Sequence, residues 1–143
     1  MGNCFIWGDV MIKYRDGFKY QLVEDYKVKT DIIGYSVKTK FIKLTVIGVL
    51  TIKAGYAWDG PSGPTYDSKD FMRGSLVHDA LYQLMREKHL PQSEREFADK
   101  ELKKVCLEDG MPEIRAAYVL AGVKTFGASS ADPANKKKIL TAP

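Results

Sequence analysis

The chain has 143 residues, 45% of them hydrophobic and 28% charged, with a formal net charge of +4 and a pI of about 9.0. These values describe a globular domain able to bury a core, and no apolar run approaches the roughly 18 residues of a membrane-spanning helix. Half of the excess positive charge lies in the last sixteen residues, where Lys136, Lys137 and Lys138 outnumber Asp132, so the balance does not indicate nucleic acid.

The start, Met1 to Asp9, lacks the basic opening and apolar stretch of a secretory signal. Met1-Gly2-Asn3-Cys4 resembles the opening of an N-myristoylation signal, but Ile6 stands where that signal has Ser or Thr. Cys4 and Cys106 are too few and too distant for a disulfide framework or a zinc ribbon. A reducing, cytoplasmic setting follows.

In chain order, Asp9–Arg15 and Phe18–Val23 read as strands around Asp16-Gly17, a dipeptide suited to a tight hairpin turn. Tyr26–Thr30 and Tyr35–Phe41 alternate apolar and polar side chains, the pattern of a sheet with one wet face. Val46–Lys53 is β-branched and carries Gly48 at a candidate bulge. Glycines and prolines over residues 56–67 predict a shaped loop. Asp67 or Ser68 is a fitting N-cap for a helix over Phe71–Glu87, whose Val77, Leu81, Leu84 and Lys88 share one face. A second helix is predicted from about Ser93 to Leu107 with Gly110 at its C-cap, and a third from Pro112 to near Gly127. The chain therefore reads as one α+β domain over residues 1–127. A β-rich part (1–55) with an antiparallel sheet of about four to six strands precedes the loop (56–67) and three helices (68–127). A mobile tail is expected over 128–143.

His78, Asp79 and Tyr82 lie three and four residues apart and share a side of the first helix, with Ser75 and Phe71 along it. Gln83 and Glu87 read as polar decoration of the opposite side. Flanked by Leu76, Val77, Leu81 and Leu84, the His-Asp pair is expected near the interior, where a carboxylate needs a cation or several donors. Arg73, Arg86 or a metal ion can each supply that partner. Asp99 sits mid-helix after Phe97-Ala98, where aspartate is a poor helix former. A hydrogen bond to the His78 imidazole, fixing its tautomer and raising its basicity, would account for it. The same residues also fit a satisfied structural pair. Asp59-Gly60-Pro61-Ser62-Gly63 offers a carboxylate, flexible glycines and carbonyls, an oxygen set suited to Ca²⁺. It fits an ordinary turn closed by an Asx hydrogen bond equally well.

Together Trp58-Asp59-Gly60-Pro61-Ser62, His78-Asp79-Ala80-Leu81-Tyr82 and Ala98-Asp99 resemble the core of phospholipase A2, especially its compact bacterial forms. That resemblance spans roughly Tyr56 to Cys106. It implies a phospholipid or other ester substrate, with His78 as the base that activates water, Asp99 orienting it and Tyr82 bracing Asp99. It also implies Ca²⁺ held by Asp59, Gly60 and Asp79 to stabilise an oxyanion. Pro61 and Ser75 stand where that family has paired cysteines, and the strand-rich half has no counterpart there.

Over most of its length the chain is similar to a small family of uncharacterised proteins encoded by tailed bacteriophages and prophages. The matching segments are Gly55-Tyr56-Ala57-Trp58-Asp59-Gly60-Pro61-Ser62, His78 to Tyr82, Ala98-Asp99 and Phe126-Gly127. This implies a phage setting, in the host cytoplasm or the virion, without an established activity. Two expectations follow. One is a phage-encoded, calcium-assisted ester hydrolase. The other is a non-enzymatic neck, tail or baseplate component, or a host-interaction protein, partnered by phage structural proteins or a host factor. His89 follows the helix end, so a His-Asp metal phosphohydrolase lacks its ligands.

Overall fold

Alternation of apolar and polar side chains sorts the first half of the chain into strands, each with one face to turn inward. The computed structural model describes Ile12, Tyr14–Arg15, 20–58 and 68–133, with backbone alone for 14, 15 and 126–130. Its strands are β1 (Tyr14–Arg15), β2 (Tyr20–Leu22), β3 (Tyr26–Lys29), β4 (Val37–Lys38), β5 (Ile42–Leu44), β6 (Val49–Ile52) and β7 (Ala57–Trp58). Three helices follow: α1 (Lys69–Arg86), α2 (Arg95–Glu108, after a 3₁₀ turn over Gln92–Glu94) and α3 (Glu113–Ala131). The α+β class and the order of strands before helices are as expected.

The strands form two antiparallel sheets, ordered β1-β2-β7 and β3-β6-β5-β4, where the sequence predicts one. The difference comes from β7, predicted as the start of a loop. Two residues are too short to show a period, and β7 pairs far back along the chain, with Tyr20 and Gln21. The Asp16-Gly17 turn lies outside the described residues. At Gly48 the anticipated bulge is the end of the β5–β6 hairpin. The Thr45 N–H donates to the Val49 carbonyl at 3.0 Å and the Gly48 N–H to the Thr45 carbonyl at 2.9 Å. Gly48 has φ +92°, so the hairpin is a type I turn followed by a glycine bulge. A Cβ at this position would run into the Thr30 carbonyl oxygen.

Ser68 takes the N-cap position of α1, but its hydroxyl donates to the Asp70 carboxylate at 2.5 Å instead of accepting from a helix N–H. The C-terminus of α1 closes with Lys88 at φ +65°, the His89 N–H donating to the Leu84 carbonyl at 2.8 Å. Gly110 (φ +96°) closes α2 in the same way, as predicted, with the Met111 N–H on the Cys106 carbonyl. α3 runs past Gly127 to Ala131, where the buried Ala131 offers its carbonyl to Gln92 Nε2 at 2.6 Å. The helix thus extends four residues beyond its expected end near Gly127. Residues 134–143 lie outside the described residues.

Fourteen of the eighteen residues of α1 are buried, so this helix has almost no wet face. Met72, Leu76, Leu81 and Leu84 join Val28, Ile42, Leu44, Leu50 and Ile52 in the main core. Phe71 joins Leu102, Cys106, Met111, Ala116 and Val119 in a second core under α2 and α3. Each fully buried leucine contributes about 2 kcal/mol. Gly74 sets the distance between α1 and α2, because a Cβ there would sit 2.7 Å from Cys106 Sγ and 3.3 Å from the Leu102 carbonyl oxygen.

Two buried charges tie the layers together. Arg73 donates to Asp109 (2.9 and 3.0 Å), Glu108 (2.8 Å) and the Tyr26 hydroxyl (2.6 Å), linking α1 to the end of α2 and to β3. Burial opposes its charge, but hydrogen bonding to Asp109, Glu108 and Tyr26 outweighs this and keeps the guanidinium protonated. Glu101, 2% exposed on α2, accepts the Asp31 N–H at 3.1 Å, while its other oxygen has only Lys104 Nζ at 4.0 Å. Burial raises its pKa above 4.5, more than the Asp31 N–H and Lys104 lower it.

Gly74→Val is expected to force the helices apart and cost about 3 kcal/mol, read as a lowered midpoint in urea. The native state holds the Glu101 proton more tightly than the unfolded chain. Its contribution is therefore favourable at low pH and is lost as pH rises from the ordinary carboxylate range through the raised value. Glu101→Gln should melt above wild type at pH 7 and lose that advantage near pH 4, as thermal scans at the two pH values will show.

Candidate active site

Burying α1 on nearly every side obliges its polar side chains to find partners in other elements. His78 finds one in α2: its Nε2 lies 2.8 Å from Asp99 Oδ1. Tyr82, one turn on, donates its hydroxyl to the same oxygen at 2.6 Å. The two rings pack at a centroid distance of 4.1 Å, tilted by 36°. His78 is 8% exposed, Tyr82 2% and Asp99 1%. His78 is thus the member of the group closest to the surface, and Asp99 is the most enclosed.

The polarity of these bonds follows from the chemistry of the groups. A carboxylate accepts and cannot donate, so the proton between His78 and Asp99 belongs to Nε2. In the neutral imidazole Nδ1 then carries the lone pair and can accept a proton. Burial first, and the Asp99 hydrogen bond and charge next, raise the Tyr82 pKa far above that of an ordinary phenol. Its O–H therefore remains a donor at any working pH. The Arg95 charge, one turn before Asp99 on α2, acts on Tyr82 in the opposite direction. Arg95 was missed in the sequence, although its i, i+4 spacing from Asp99 was the available signal.

A second line of residues runs along α1 through Ser75, Asp79 and Gln83, each four apart. β7 lies across it. Trp58 Nε1 donates to Ser75 Oγ at 3.0 Å, and the Tyr56 hydroxyl donates to Gln83 Oε1 at 3.2 Å. Gln83 Nε2 in turn donates to Glu87 at 3.3 Å. Gln83 and Glu87 therefore belong to the side that carries Asp79, not to the opposite one, because 79, 83 and 87 repeat at the helical spacing. Of the cations considered for Asp79, Arg73 directs its guanidinium to Asp109, Glu108 and Tyr26. Asp79 itself is half-buried.

Of the residues singled out in the sequence, His78, Tyr82 and Asp99 meet in one hydrogen-bonded group, and Asp79 sits beside it on the neighbouring face. Asp59 and Gly60 lie outside the described residues. Among the described residues no three His, Cys, Asp or Glu side chains are grouped so as to hold a metal ion. No helix among them is long and apolar enough to cross a membrane. Cys106 is free and buried, and its thiol is pushed up to about 12, first by burial and then by the charges of Asp109 and Asp70.

Comparison with protein-family models, with curated proteins and with solved structures finds no match to this chain. The site is read from its own chemistry.

Tyr82→Phe keeps the ring packing and removes one hydrogen bond to a buried carboxylate. It is expected to cost about 1.5–3 kcal/mol of stability, measured by urea unfolding. Imidazole nitrogen shifts should show His78 protonated on Nε2 in the neutral form of both proteins.

Proposed function

We propose that this protein is a phage-encoded hydrolase in which His78 acts as a general base on water attacking an ester, with calcium assistance. The observation that carries this reading is the orientation of the imidazole. Asp99 engages Nε2, Tyr82 braces Asp99, and Nδ1 is left as the basic atom of the least enclosed member. Asp99 and Tyr82 are positioning residues in this scheme. They fix the tautomer, and Asp99 stabilises the imidazolium formed when His78 takes the proton from water.

The Trp58–Ser75 hydrogen bond anchors the chain immediately before Asp59, at a point one helical turn from Asp79. Asp59, Asp79 and the Gly60 carbonyl make up a set of oxygen donors, the ligand type a hard cation takes. Bound there, Ca²⁺ would supply positive charge to the carbonyl oxygen of the ester as it becomes an oxyanion. The substrate class is a phospholipid or a related ester, and the setting is an infected host cell.

A second reading has its own support. All three members of the group are less than a tenth exposed, as expected if the bonds only join α1 to α2 in a non-enzymatic virion or host-interaction protein.

Ester turnover on phosphatidylglycerol vesicles, with calcium and with EGTA, separates the two. The hydrolase reading expects turnover that EGTA abolishes, and at least a roughly hundredfold loss in His78→Ala with an unchanged circular dichroism spectrum. Equal rates with and without EGTA would remove the calcium role. Absence of turnover, together with stoichiometric presence in purified particles, would establish the structural alternative.

A further inference from the structure

The inner face of the four-stranded sheet carries the core, while its outer face is a field of lysines. Lys27 on β3, Lys38 on β4 and Lys43 on β5 are exposed and alternate with residues that turn inward, while the half-buried Lys29 on β3 donates to the Thr30 carbonyl at 2.7 Å. The ladder register sets Lys27, Thr51, Lys43 and Lys38 in one row across all four strands. Lys38 and Lys43 are direct cross-strand partners, a like-charge pairing that destabilises a sheet. None of the four strands contains a carboxylate to relieve it. Folding alone gives no reason for this arrangement. An anionic partner does.

The rim of the same face identifies that partner. Lys27, Lys38 and Lys43 line a shallow depression together with Val46 and Ile47, the two residues at the tip of the β5–β6 hairpin. Val46 is 57% exposed and Ile47 61%. Ile33, also 61% exposed, stands beside this tip, where the Gly34 N–H donates to the Val46 carbonyl at 2.8 Å. Three exposed branched aliphatics next to a row of lysines combine the two components of interfacial membrane binding, electrostatic attraction and shallow apolar insertion. Nucleic acid suits the face less well. The four strands hold no arginine, and their one aromatic residue, Tyr26, is buried on the inner side, leaving no platform for base stacking.

We propose that the outer face of the β3-β6-β5-β4 sheet docks on an anionic phospholipid bilayer, its lysines on the headgroups and Ile33, Val46 and Ile47 at the acyl boundary. This goes beyond the hydrolase reading and does not require it.

The test is cosedimentation of the full chain with sucrose-loaded vesicles of phosphatidylcholine plus phosphatidylserine, against phosphatidylcholine alone. EGTA is present throughout, so neither calcium bridging nor turnover contributes. Binding is expected on the anionic vesicles only and should weaken as salt is raised. The double variant Lys38→Ala, Lys43→Ala should bind about 25-fold more weakly, near fivefold for each lysine. Ile47→Ser should weaken binding while leaving its salt dependence unchanged. All these positions are exposed, and thermal melts will show that the variants fold. Failure of the wild type to bind anionic vesicles, or equal binding by the double variant, would overturn the proposal. So would tighter binding to a DNA oligonucleotide that the lysine pair controls. Each result is independent of whether the protein hydrolyses esters.

Discussion

The burial of α1 is the constraint on which the structure depends. A helix with almost no wet face cannot turn its polar residues to water, and an unpartnered buried polar group costs about 1–3 kcal/mol. Each polar side chain on α1 is therefore a demand on another element. Arg73 is met by β3 and the end of α2, Ser75 by Trp58 of β7, Gln83 by Tyr56 just before β7, and His78 and Tyr82 by Asp99 of α2. Apolar packing alone would let the layers slide, since Leu and Ile contacts are non-directional. These bonds fix which residues lie opposite one another.

The same demand explains why the sheet is split. β7 follows α1, held by Trp58 on Ser75 and by the preceding Tyr56 on Gln83, and pairs with β2 instead of joining the four-stranded sheet. The Leu22 N–H donates to the Tyr56 carbonyl at 2.8 Å, and the Gly55 N–H to the Leu22 carbonyl at 2.8 Å, extending that pairing back through the turn. Gly55, at φ +97°, makes the turn possible where Phe41 closes in on it. The small sheet thus exists to carry the chain from the β-rich half onto the face of α1 that bears Asp79.

The sequence made some of this legible and concealed the rest. Asp99 stood out because aspartate is a poor choice mid-helix, and its bonds to His78 and Tyr82 are the reason for it. The helices were readable from their period and from Gly110, an unambiguous stop. Strands of two or three residues have no period to read, so β5 and β7 went unseen and two sheets looked like one. Arg73 was considered as a partner for Asp79, but its real partners Asp109 and Tyr26 lie 36 and 47 residues away. No local pattern encodes such a pairing. The third helix is expected to end near Gly127, and it runs on to Ala131, whose carbonyl accepts a hydrogen bond from Gln92 Nε2. Gln83 and Glu87 were an error of reading, since their spacing from Asp79 is helical.

In the proposed hydrolase the group around Asp99 serves chemistry as well as stability. A hydrogen-bonded polar cluster in the interior gains little over well-packed apolar residues of similar volume, and replacing such a cluster is often neutral or stabilising. Leucine and phenylalanine at positions 78, 82 and 99 would bury apolar area between α1 and α2 without desolvating a carboxylate and an imidazole, but would not fix which residues lie opposite one another. What apolar residues cannot provide is a base of defined tautomer, which the Asp99 bond to Nε2 fixes and Tyr82 supports by donating to the same carboxylate. Asp99 without Tyr82 would have one donor fewer and would be costlier to enclose, while His78 without Asp99 would lose the bond that holds its tautomer and ring orientation. Both donors converge on the single oxygen Oδ1, which ties the orientation of the imidazole to that of the phenol. The ring stacking at 4.1 Å then leaves His78 little freedom to rotate away. An arrangement that holds one imidazole still in this way suits the proton transfer proposed for His78.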